Sequence, residues 1–258
     1  MIILLTNDDG IYAEGIQVLG ETLSQNKNVD LYIVAPDHER SATGHAITMH
    51  RPLRAEEVKF PHNPALKGWS VNGTPSDCVK LAIEYLLPQK PDLVVSGINQ
   101  GENLGTDVLY SGTVSAALEA MILGVPALAV SLATQKNPDY RFTANFLRCF
   151  LNVLGSHHLP EKTLLNINVP GKNHRDIAGI AITRLGLRLY RNAFEKRVDP
   201  RGKDYYWLAG KAVDEASPEE KDTDIAAVNN SYISVTPLHF DLTNYPLIEK
   251  LQEIKWKA

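Results

Sequence analysis

Two adjacent aspartates, Asp8 and Asp9, follow a short apolar segment at the beginning of the chain. Neighbouring carboxylates repel each other, and the pair costs stability unless a cation lies between them. Carboxylate, amide and hydroxyl oxygens are the hard ligands that Mg²⁺, Mn²⁺ and Ca²⁺ prefer. The alternative is that the aspartates cap the following helix, because Asp is favoured at helix N-caps. The spacing favours a metal site, since one helix needs only one cap.

Other polar segments rich in glycine follow later predicted strands. Ser111, Gly112 and Thr113 precede a predicted helix, whose first N–H groups favour an anion, although an ordinary N-cap explains them equally well. Residues 97–105 contain three glycines but match neither the dinucleotide-binding pattern nor the phosphate-binding loop. The polar segments are 6–10, 36–45, 72–77, 96–105 and 110–113.

Charged side chains in these loops have two interpretations each. His38 and His45 can contact a phosphate or act as a general acid, or they can simply be solvated. Arg40 has the fork geometry of a phosphate clamp, or it is an exposed surface arginine. The chain has no HExxH, CxxC or GxSxG pattern, so zinc protease, redox and serine hydrolase functions have no support.

The composition limits the class of protein. The chain has 258 residues, enough for one large α/β domain or a core with an appendage. Its net charge of -4 offers no basic field for nucleic acid or an anionic membrane. Cys78 and Cys149 are far apart, so we expect buried free thiols and a reducing compartment. No apolar run reaches membrane-spanning length and no signal peptide is evident, which predicts a cytoplasmic protein.

Short apolar strands alternate with helical patterns over the first 170 residues or so, which predicts a mainly parallel sheet with helices on both faces. Ligands of such sheets bind at the carboxyl ends of the strands, where the polar segments lie. Predicted strands cover residues 2–5, 31–35, 93–96, 127–131 and 164–169. Predicted helices cover residues 16–23, 77–87, 114–123 and 141–154.

The pattern changes after about residue 170. We predict an α/β core over residues 1–176, with strand elements returning from 225–240, and a hairpin and C-terminal region over 177–258. Within the second region we expect a strand at 177–184, an aromatic hairpin at 188–209, an acidic solvated loop at 214–224, strand-like structure at 225–238 and a final helix at 246–256.

Eight sequence blocks, in order along nearly the whole chain, carry a resemblance to a known family. The blocks are LLTNDDG at 4–10, APDHERSATGHAIT at 35–48, NGTPSDCV at 72–79, VSGINQGENLG at 95–105, YSGTVSAALEA at 110–120, LNINVP at 165–170, DPRG at 199–202 and YISVTPLHFDLT at 232–243. Through them the chain resembles the SurE family, the survival-protein E 5′/3′-nucleotidases. The resemblance implies a Rossmann-like three-layer α/β/α core, a projecting hairpin and a C-terminal oligomerisation region that forms a homodimer or homotetramer.

The resemblance also implies an activity and a site. We expect a metal-dependent phosphatase acting on nucleoside 5′- and 3′-monophosphates, with short-chain polyphosphate as a further expected substrate. One divalent cation per subunit, such as Mg²⁺ or Mn²⁺, is expected at Asp8, Asp9, Ser41 and Asn99. Motif positions expected to contact the phosphate are Asn7, Asn103, Ser111, Gly112 and Thr113.

Metal-assisted attack by water is the expected mechanism. Asp8 or Asp9 then doubles as the base, with an aspartyl-phosphate intermediate as the competing route and His45 as a candidate leaving-group acid. One alternative is a haloacid-dehalogenase-like phosphatase, although such enzymes carry a DxD pattern and here the aspartates are adjacent. The other is a non-catalytic protein that binds nucleotide or metal.

Overall fold

The computed structural model describes residues 1–258 except 61–62, 64–65, 137, 155–159, 161, 192–193, 209–210, 215–219, 255 and 257–258. A nine-stranded sheet forms its centre, and two shorter antiparallel ladders lie outside it. The strands, in chain order, are β1 (Ile2–Thr6), β2 (Asp30–Pro36), β3 (Ala55–Val58), β4 (Lys67–Val71), β5 (Leu93–Gln100), β6 (Ala127–Ala133), β7 (Leu164–Pro170), β8 (Gly179–Ile182), β9 (Arg188–Arg191), β10 (Phe194–Val198), β11 (Asp204–Leu208), β12 (Lys211–Asp214) and β13 (Tyr232–Leu238).

The sheet order is β3-β4-β2-β1-β5-β6-β7-β13-β8. From β4 to β7 all neighbouring strands are parallel, whereas β3 and β13 pair antiparallel with β4 and β7. β1 therefore lies between β2 and β5, and the loops that leave these strands meet at one edge. This arrangement positions the candidate site.

Helices cover both faces of the sheet. Leu5 and its neighbours pack beneath α1 (Glu14–Leu23) and α4 (Tyr140–Leu154). Leu4 and its neighbours pack beneath α2 (Pro75–Leu81) and α3 (Gly112–Ile122), because successive side chains of a strand point to opposite faces. The predicted three-layer α/β/α fold is confirmed. The helices are α1 (Glu14–Leu23), α2 (Pro75–Leu81), α3 (Gly112–Ile122), α4 (Tyr140–Leu154), α5 (Asp224–Asn229) and α6 (Tyr245–Gln252).

The polar segment at 72–77 is the start of α2. Thr74 accepts the Asp77 N–H and Asp77 accepts the Thr74 N–H, which forms a capping box, and Pro75 begins the helix. Asp77 also accepts the backbone N–H and the hydroxyl of Thr48, at 2.9 and 2.6 Å. This segment therefore caps a helix and anchors the loop that follows β2.

The prediction for residues 225–238 was wrong in its first part. Asp224–Asn229 forms helix α5, capped by Thr223, and strand β13 begins only at Tyr232. A short apolar run is compatible with either a helix or a strand, so the pattern alone did not separate them. The acidic loop prediction falls partly on residues 215–219, which lie outside the described residues. At its end Asp224 is fully buried rather than solvated.

The predicted aromatic hairpin is present. β10 and β11 pair antiparallel around the turn at 199–202, where Asp199 accepts the N–H groups of Arg201 and Lys203. Every residue of β10 and β11 is exposed. β9 pairs with β12 beside it. Because β8 and β13 belong to the main sheet, residues on both sides of position 176 build that sheet; the division of the chain there stays a prediction.

The edge strand β3 and its neighbour β4 were not predicted, because their sequences AEEV and KGWSV lack a continuous apolar run. The expectation of buried free thiols holds for Cys78 but is wrong for Cys149, which is exposed on the outer side of α4. None of the helices in the described part of the chain has the length and apolar character needed to span a bilayer.

Candidate active site

Three loops meet around Asp8 and Asp9 at the carboxyl end of β1. The Arg40 N–H donates to the carbonyl of Asp8 at 2.7 Å, which brings the loop after β2 against the pair. The Gln100 N–H donates to the carboxylate of Asp9, which brings the end of β5 against it. Ser41 follows Arg40 and Asn99 precedes Gln100 in the chain. Each of these two predicted ligands is therefore the sequence neighbour of a residue that hydrogen-bonds to one of the aspartates.

Asp8 lies against the first turn of α3. Its carboxylate accepts the hydroxyl and the N–H of Thr113, and only 4% of the residue is exposed. A Cβ at Gly112 would lie 2.7 Å from the Cβ of Asp8, so only glycine allows this approach. Burial raises the pKa of Asp8 in spite of these donors.

Asp9 is partly buried beside Asp8. Burial, followed by the charge of Asp8, raises the pKa of Asp9 to about 6, although the Gln100 N–H opposes that shift. The charge of Glu39 raises the pKa of both aspartates further. Among the described residues, the groups that lower these two pKa values are N–H and O–H donors, and none is a lysine or arginine. The pair is therefore an anionic site without a positive side chain.

The remaining predicted ligands are oxygen donors whose lone pairs are accessible. Asn99 donates its Nδ2 to the carbonyl of Gly101 at 2.8 Å, which leaves its Oδ1 for a ligand. Ser41 donates its hydroxyl to Glu39 at 2.7 Å, which leaves its oxygen lone pairs. An all-oxygen set beside two carboxylates fits a hard divalent cation. No group of three or more His, Cys, Asp or Glu side chains suited to a metal occurs in the described residues.

Asn7 shapes the turn that carries the aspartates. Its Nδ2 donates to the carbonyl of Gly10 at 2.9 Å, and its Oδ1 accepts the Gly10 N–H at 3.2 Å. Gly10 has a φ of 99°, a conformation that favours glycine. In this structure both polar atoms of the Asn7 side chain are engaged in that turn.

Asn103 belongs to a buried amide network. Its Nδ2 donates to the Ser131 hydroxyl at 2.8 Å, its N–H donates to Asn168 at 2.8 Å, and its carbonyl accepts from Asn166 and Asn168 at 2.9 and 3.1 Å. Asn166 and Asn168 were not identified from the sequence as site residues. Their signal was two asparagines at a spacing of two within the otherwise apolar strand β7.

Ser111 is the N-cap of α3, because its Oγ accepts the Val114 N–H at 3.1 Å. The cap does not exclude an anion, since the first N–H groups of a helix lack partners within that helix. The Thr113 donors are directed at Asp8, which leaves the Gly112 N–H and the Ser111 hydroxyl proton for a phosphate. The N-cap explanation is therefore confirmed, and the anion-binding explanation stays a prediction.

The candidate charged side chains face other partners. The Nε2 of His45 lies 2.8 Å from Glu119, six residues and about 9 Å along α3 from Thr113. Arg40 directs its guanidinium to Asp37 and the carbonyl of Asn72, at 3.4 and 3.3 Å. His38, also exposed, pairs with Asp37 at 2.6 Å. None of the three side chains is directed at Asp8 in this structure.

A large cavity of about 790 Å³ lies at the opposite edge of the sheet, near the beginnings of β2 and β4. Tyr32, Phe60 and Trp69 form much of its described lining, which includes none of the predicted site residues. The chemistry-bearing residues instead occupy the carboxyl edge, where loops of a parallel sheet bind ligands.

Comparison with known proteins supports the resemblance carried by the motifs. The family model described as "Survival protein SurE" matches residues 3–192. The 5′-nucleotidase SurE of Pelotomaculum thermopropionicum is 55% identical over 255 residues, covering 98% of this chain and 95% of that protein. The 5′-nucleotidase SurE of Gloeobacter violaceus is 52% identical and covers 100% of this chain and 97% of that protein. The crystal structure of the SurE protein from Aquifex aeolicus aligns with a TM-score of 0.82 and 40% identity, covering 98% of each chain.

Proposed function

The chain belongs to the SurE family, and from that premise we propose that it hydrolyses nucleoside 5′-monophosphates to nucleoside and phosphate. Relatives that share about half of its residues over nearly the full length carry the name 5′-nucleotidase. The non-catalytic alternative is not favoured. The haloacid-dehalogenase-like alternative also loses its basis, because the family is a different one. Hydrolysis of 3′-monophosphates and short-chain polyphosphate remains part of the proposal.

One structural observation supports this function most strongly. Asp8 and Asp9 lie beside each other, burial raises the pKa of both, the charge of Asp8 raises the pKa of Asp9 further, and the first turn of an eleven-residue helix lies against Asp8. An anionic pair beside unpaired helix N–H groups can hold a cation on one side and a phosphate on the other. A phosphomonoesterase needs both.

We propose that Asp8, Asp9, Ser41 and Asn99 hold one divalent cation, Mg²⁺, Mn²⁺ or a similar ion. When bound, such a cation neutralises phosphate oxygens and lowers the pKa of water. The four side chains supply only oxygen donors, and the two carboxylates supply the charge. Glu39 accepts the Ser41 hydroxyl, which directs the lone pairs of that oxygen away from Glu39.

The two aspartates have different access to water. Asp8 accepts two Thr113 donors and is 4% exposed, so we propose that it binds the cation and fixes the position of α3. Asp9 retains exposed surface, so we propose its carboxylate as the acceptor of the proton of the attacking water. In the competing route an aspartate attacks phosphorus, the phosphorus–oxygen bond to the nucleoside breaks, and water then hydrolyses the aspartyl phosphate. Trapping with a phosphate mimic separates the two routes.

The phosphate is expected at the start of α3. The Gly112 N–H and the Ser111 hydroxyl lie at the helix start that contacts Asp8, and we propose that they donate to the phosphate, since donors fixed before the reaction stabilise developing charge on phosphoryl oxygens. Asn7 and Asn103 support this site through the turn and the amide network described above. We assign no leaving-group acid, because His45 is engaged by Glu119.

Assembly and location complete the proposal. The hairpin strands and α6 expose large apolar side chains, including Trp207, Leu208 and Leu251. Such surfaces mark interaction sites, and we propose that they form a homodimer or homotetramer through the C-terminal region. The absence of a paired-cysteine motif supports a cytoplasmic location.

A substrate panel tests the function. Phosphate release is measured from 5′-AMP, 5′-GMP, 3′-AMP and short-chain polyphosphate, each with Mg²⁺, Mn²⁺, Co²⁺ or Ca²⁺ and with EDTA. We expect release from the nucleoside 5′-monophosphates that EDTA abolishes. Absence of release with every cation would contradict the proposal and return the non-catalytic alternative.

A further inference from the structure

A short helical turn, Gly105–Leu109, connects the loop after β5 to the start of α3. Within this turn the carbonyl of Asp107 accepts the N–H groups of Tyr110 and Ser111, at 3.0 and 3.1 Å. Ser111 is the N-cap of α3 and a proposed phosphate contact. The position of Asp107 therefore fixes the backbone from which the phosphate donors project.

The side chain of Asp107 is held by the part of the chain that forms strands β9, β10, β11 and β12 outside the main sheet, here called the appendage. The hydroxyl of Tyr190 on β9 lies 2.9 Å from both carboxylate oxygens, and Nη1 of Arg188 lies 3.3 Å from one of them. The same Arg188 nitrogen lies 3.3 Å from Glu102. Only 8% of the Arg188 side chain and 16% of the Asp107 side chain are exposed, so these charged contacts are shielded from water.

The beginning of the same turn is held by a second contact, which comes from the start of α5. Asp224 at the start of α5 is fully buried, and its carboxylate accepts the N–H groups of Gly105 and Gly186, each at 2.8 Å. The Thr106 hydroxyl donates to the carbonyl of Arg188. Residues from the second half of the chain therefore hold the turn at its beginning and its middle.

Tyr190 remains a neutral donor over the physiological pH range. Burial, together with its hydrogen bond to Asp107, raises the pKa of Tyr190 to about 12. The Tyr190 hydroxyl therefore keeps its proton and can donate to Asp107 at neutral pH.

We infer that Asp107, Arg188 and Tyr190 form a clamp, here called the β9 clamp, through which the appendage positions the phosphate-binding start of α3. These residues are positioning residues, since they act through the Asp107 carbonyl on Ser111. The inference rests on the proposed phosphatase function. It gives the appendage a role in the reaction in addition to any role in assembly.

Two conservative variants test the β9 clamp, Tyr190→Phe and Asp107→Asn. Tyr190→Phe removes one hydroxyl donor to the carboxylate, whereas Asp107→Asn removes the charge that both Tyr190 and Arg188 contact. We therefore expect kcat to fall about threefold to tenfold for Tyr190→Phe and about tenfold or more for Asp107→Asn. We expect little change in KM for 5′-AMP, since the misplaced donors act mainly on the transition state. The loss should be the same for p-nitrophenyl phosphate, which has no nucleoside, and the double variant should lose less than the product of the two.

Tyr85→Phe is the matched control, because Tyr85 is an exposed tyrosine beyond α2, away from the hairpin and from Asp8; it should keep wild-type kcat. Unchanged kcat in both test variants would overturn the clamp. So would a loss seen with 5′-AMP but not with p-nitrophenyl phosphate, since Tyr190 would then contact the nucleoside. A lower melting temperature with unchanged kcat well below that temperature would show a merely structural contact. A wild-type protein without any phosphatase activity would instead contradict the proposed function itself.

Discussion

At the scale of single residues, the two aspartates of the site lower the stability of the fold in the absence of a cation. Asp8 and Asp9 repel each other at a partly desolvated position, and no described lysine or arginine offsets their charge. A protein that only had to fold would gain by replacing one of them. The pair is understandable if a cation is part of the working molecule, because binding to the native state then returns the lost stability.

Asp9→Asn should stabilise the protein in EDTA. The folded pKa of Asp9, about 6, lies above its ordinary value of 3.8, so folding favours the protonated form. Stability from this group is present below pH 3.8 and is lost as the pH rises through 6. The gain from the variant should therefore grow between these two pH values and be complete above about pH 6, with an upper value of about 3 kcal/mol.

Urea unfolding of both proteins at pH 4.5 and 7.5 measures this gain. Saturating Mn²⁺ should reverse the order, because the wild type binds the cation more tightly. An Asp9→Asn protein that is less stable than wild type in EDTA at pH 7.5 would contradict the account.

The aspartate pair could be found from sequence because it is polar, adjacent and placed directly after an apolar strand. Its exact chemical surroundings could not. Asn168 and Asp224 act by accepting backbone N–H groups of distant loops, at separations of 65 and 119 residues. Such contacts depend on the folded path of the chain and leave no local spacing signal.

At the scale of elements, the start of α3 is the critical point of the site. Asp8 occupies the space that a side chain at position 112 would need, so strand β1 and helix α3 approach closely at this position. Thr113 then binds Asp8 from the same turn. The helix start and the strand end are one structural unit, and neither can move without the other.

Gly112→Ala should reduce phosphate release from 5′-AMP by about 100-fold or more, because the added methyl would lie 2.7–2.8 Å from Asp8 and displace it. The circular-dichroism spectrum should remain that of a folded α/β protein. Gly20→Ala on α1 is the control, since its methyl would meet the flexible end of Ile33 at 3.2 Å. Equal activities of the two variants would contradict the close approach described for Gly112.

The parallel strands β1, β2, β5, β6 and β7 were predictable because each contains a short apolar run, and the helices between them because apolar residues recur there at helical spacing. α5 was taken for a strand because its run, Ile225–Ala226–Ala227–Val228, is too short to show a period. β3 was missed because two exposed glutamates occupy half of it. The edge strand β3 is stabilised by pairing with β4, and its own sequence has no apolar pattern that predicts a strand.

At the scale of the whole molecule, the appendage is where assembly and catalysis can meet. β9 contacts Asp107 of the core, while the adjacent hairpin exposes Phe194, Trp207 and Leu208. A partner subunit seated on the hairpin would therefore bear on the same appendage that holds the phosphate-binding helix. Loss of assembly is expected to lower activity as well.

Trp207→Glu should shift the protein toward monomer, because a charge would replace an exposed aromatic side chain of the proposed interface. Sedimentation velocity at micromolar concentration measures the mass. Tyr85→Glu is the control, since Tyr85 is 83% exposed at a distant position beyond α2. A monomeric wild-type protein, or equal dissociation of the two variants, would contradict the proposed interface.

The central proposal is that Asp8 and Asp9 hold a divalent cation on which hydrolysis of a nucleotide phosphate depends. Its most direct test is the titration of Mn²⁺ into EDTA-treated wild-type and Asp8→Asn protein while phosphate release from 5′-AMP is recorded. We predict that Mn²⁺ restores activity to the wild type along a saturable curve, and that the folded variant stays inactive at every concentration. Near wild-type turnover of Asp8→Asn in saturating Mn²⁺ would contradict the account.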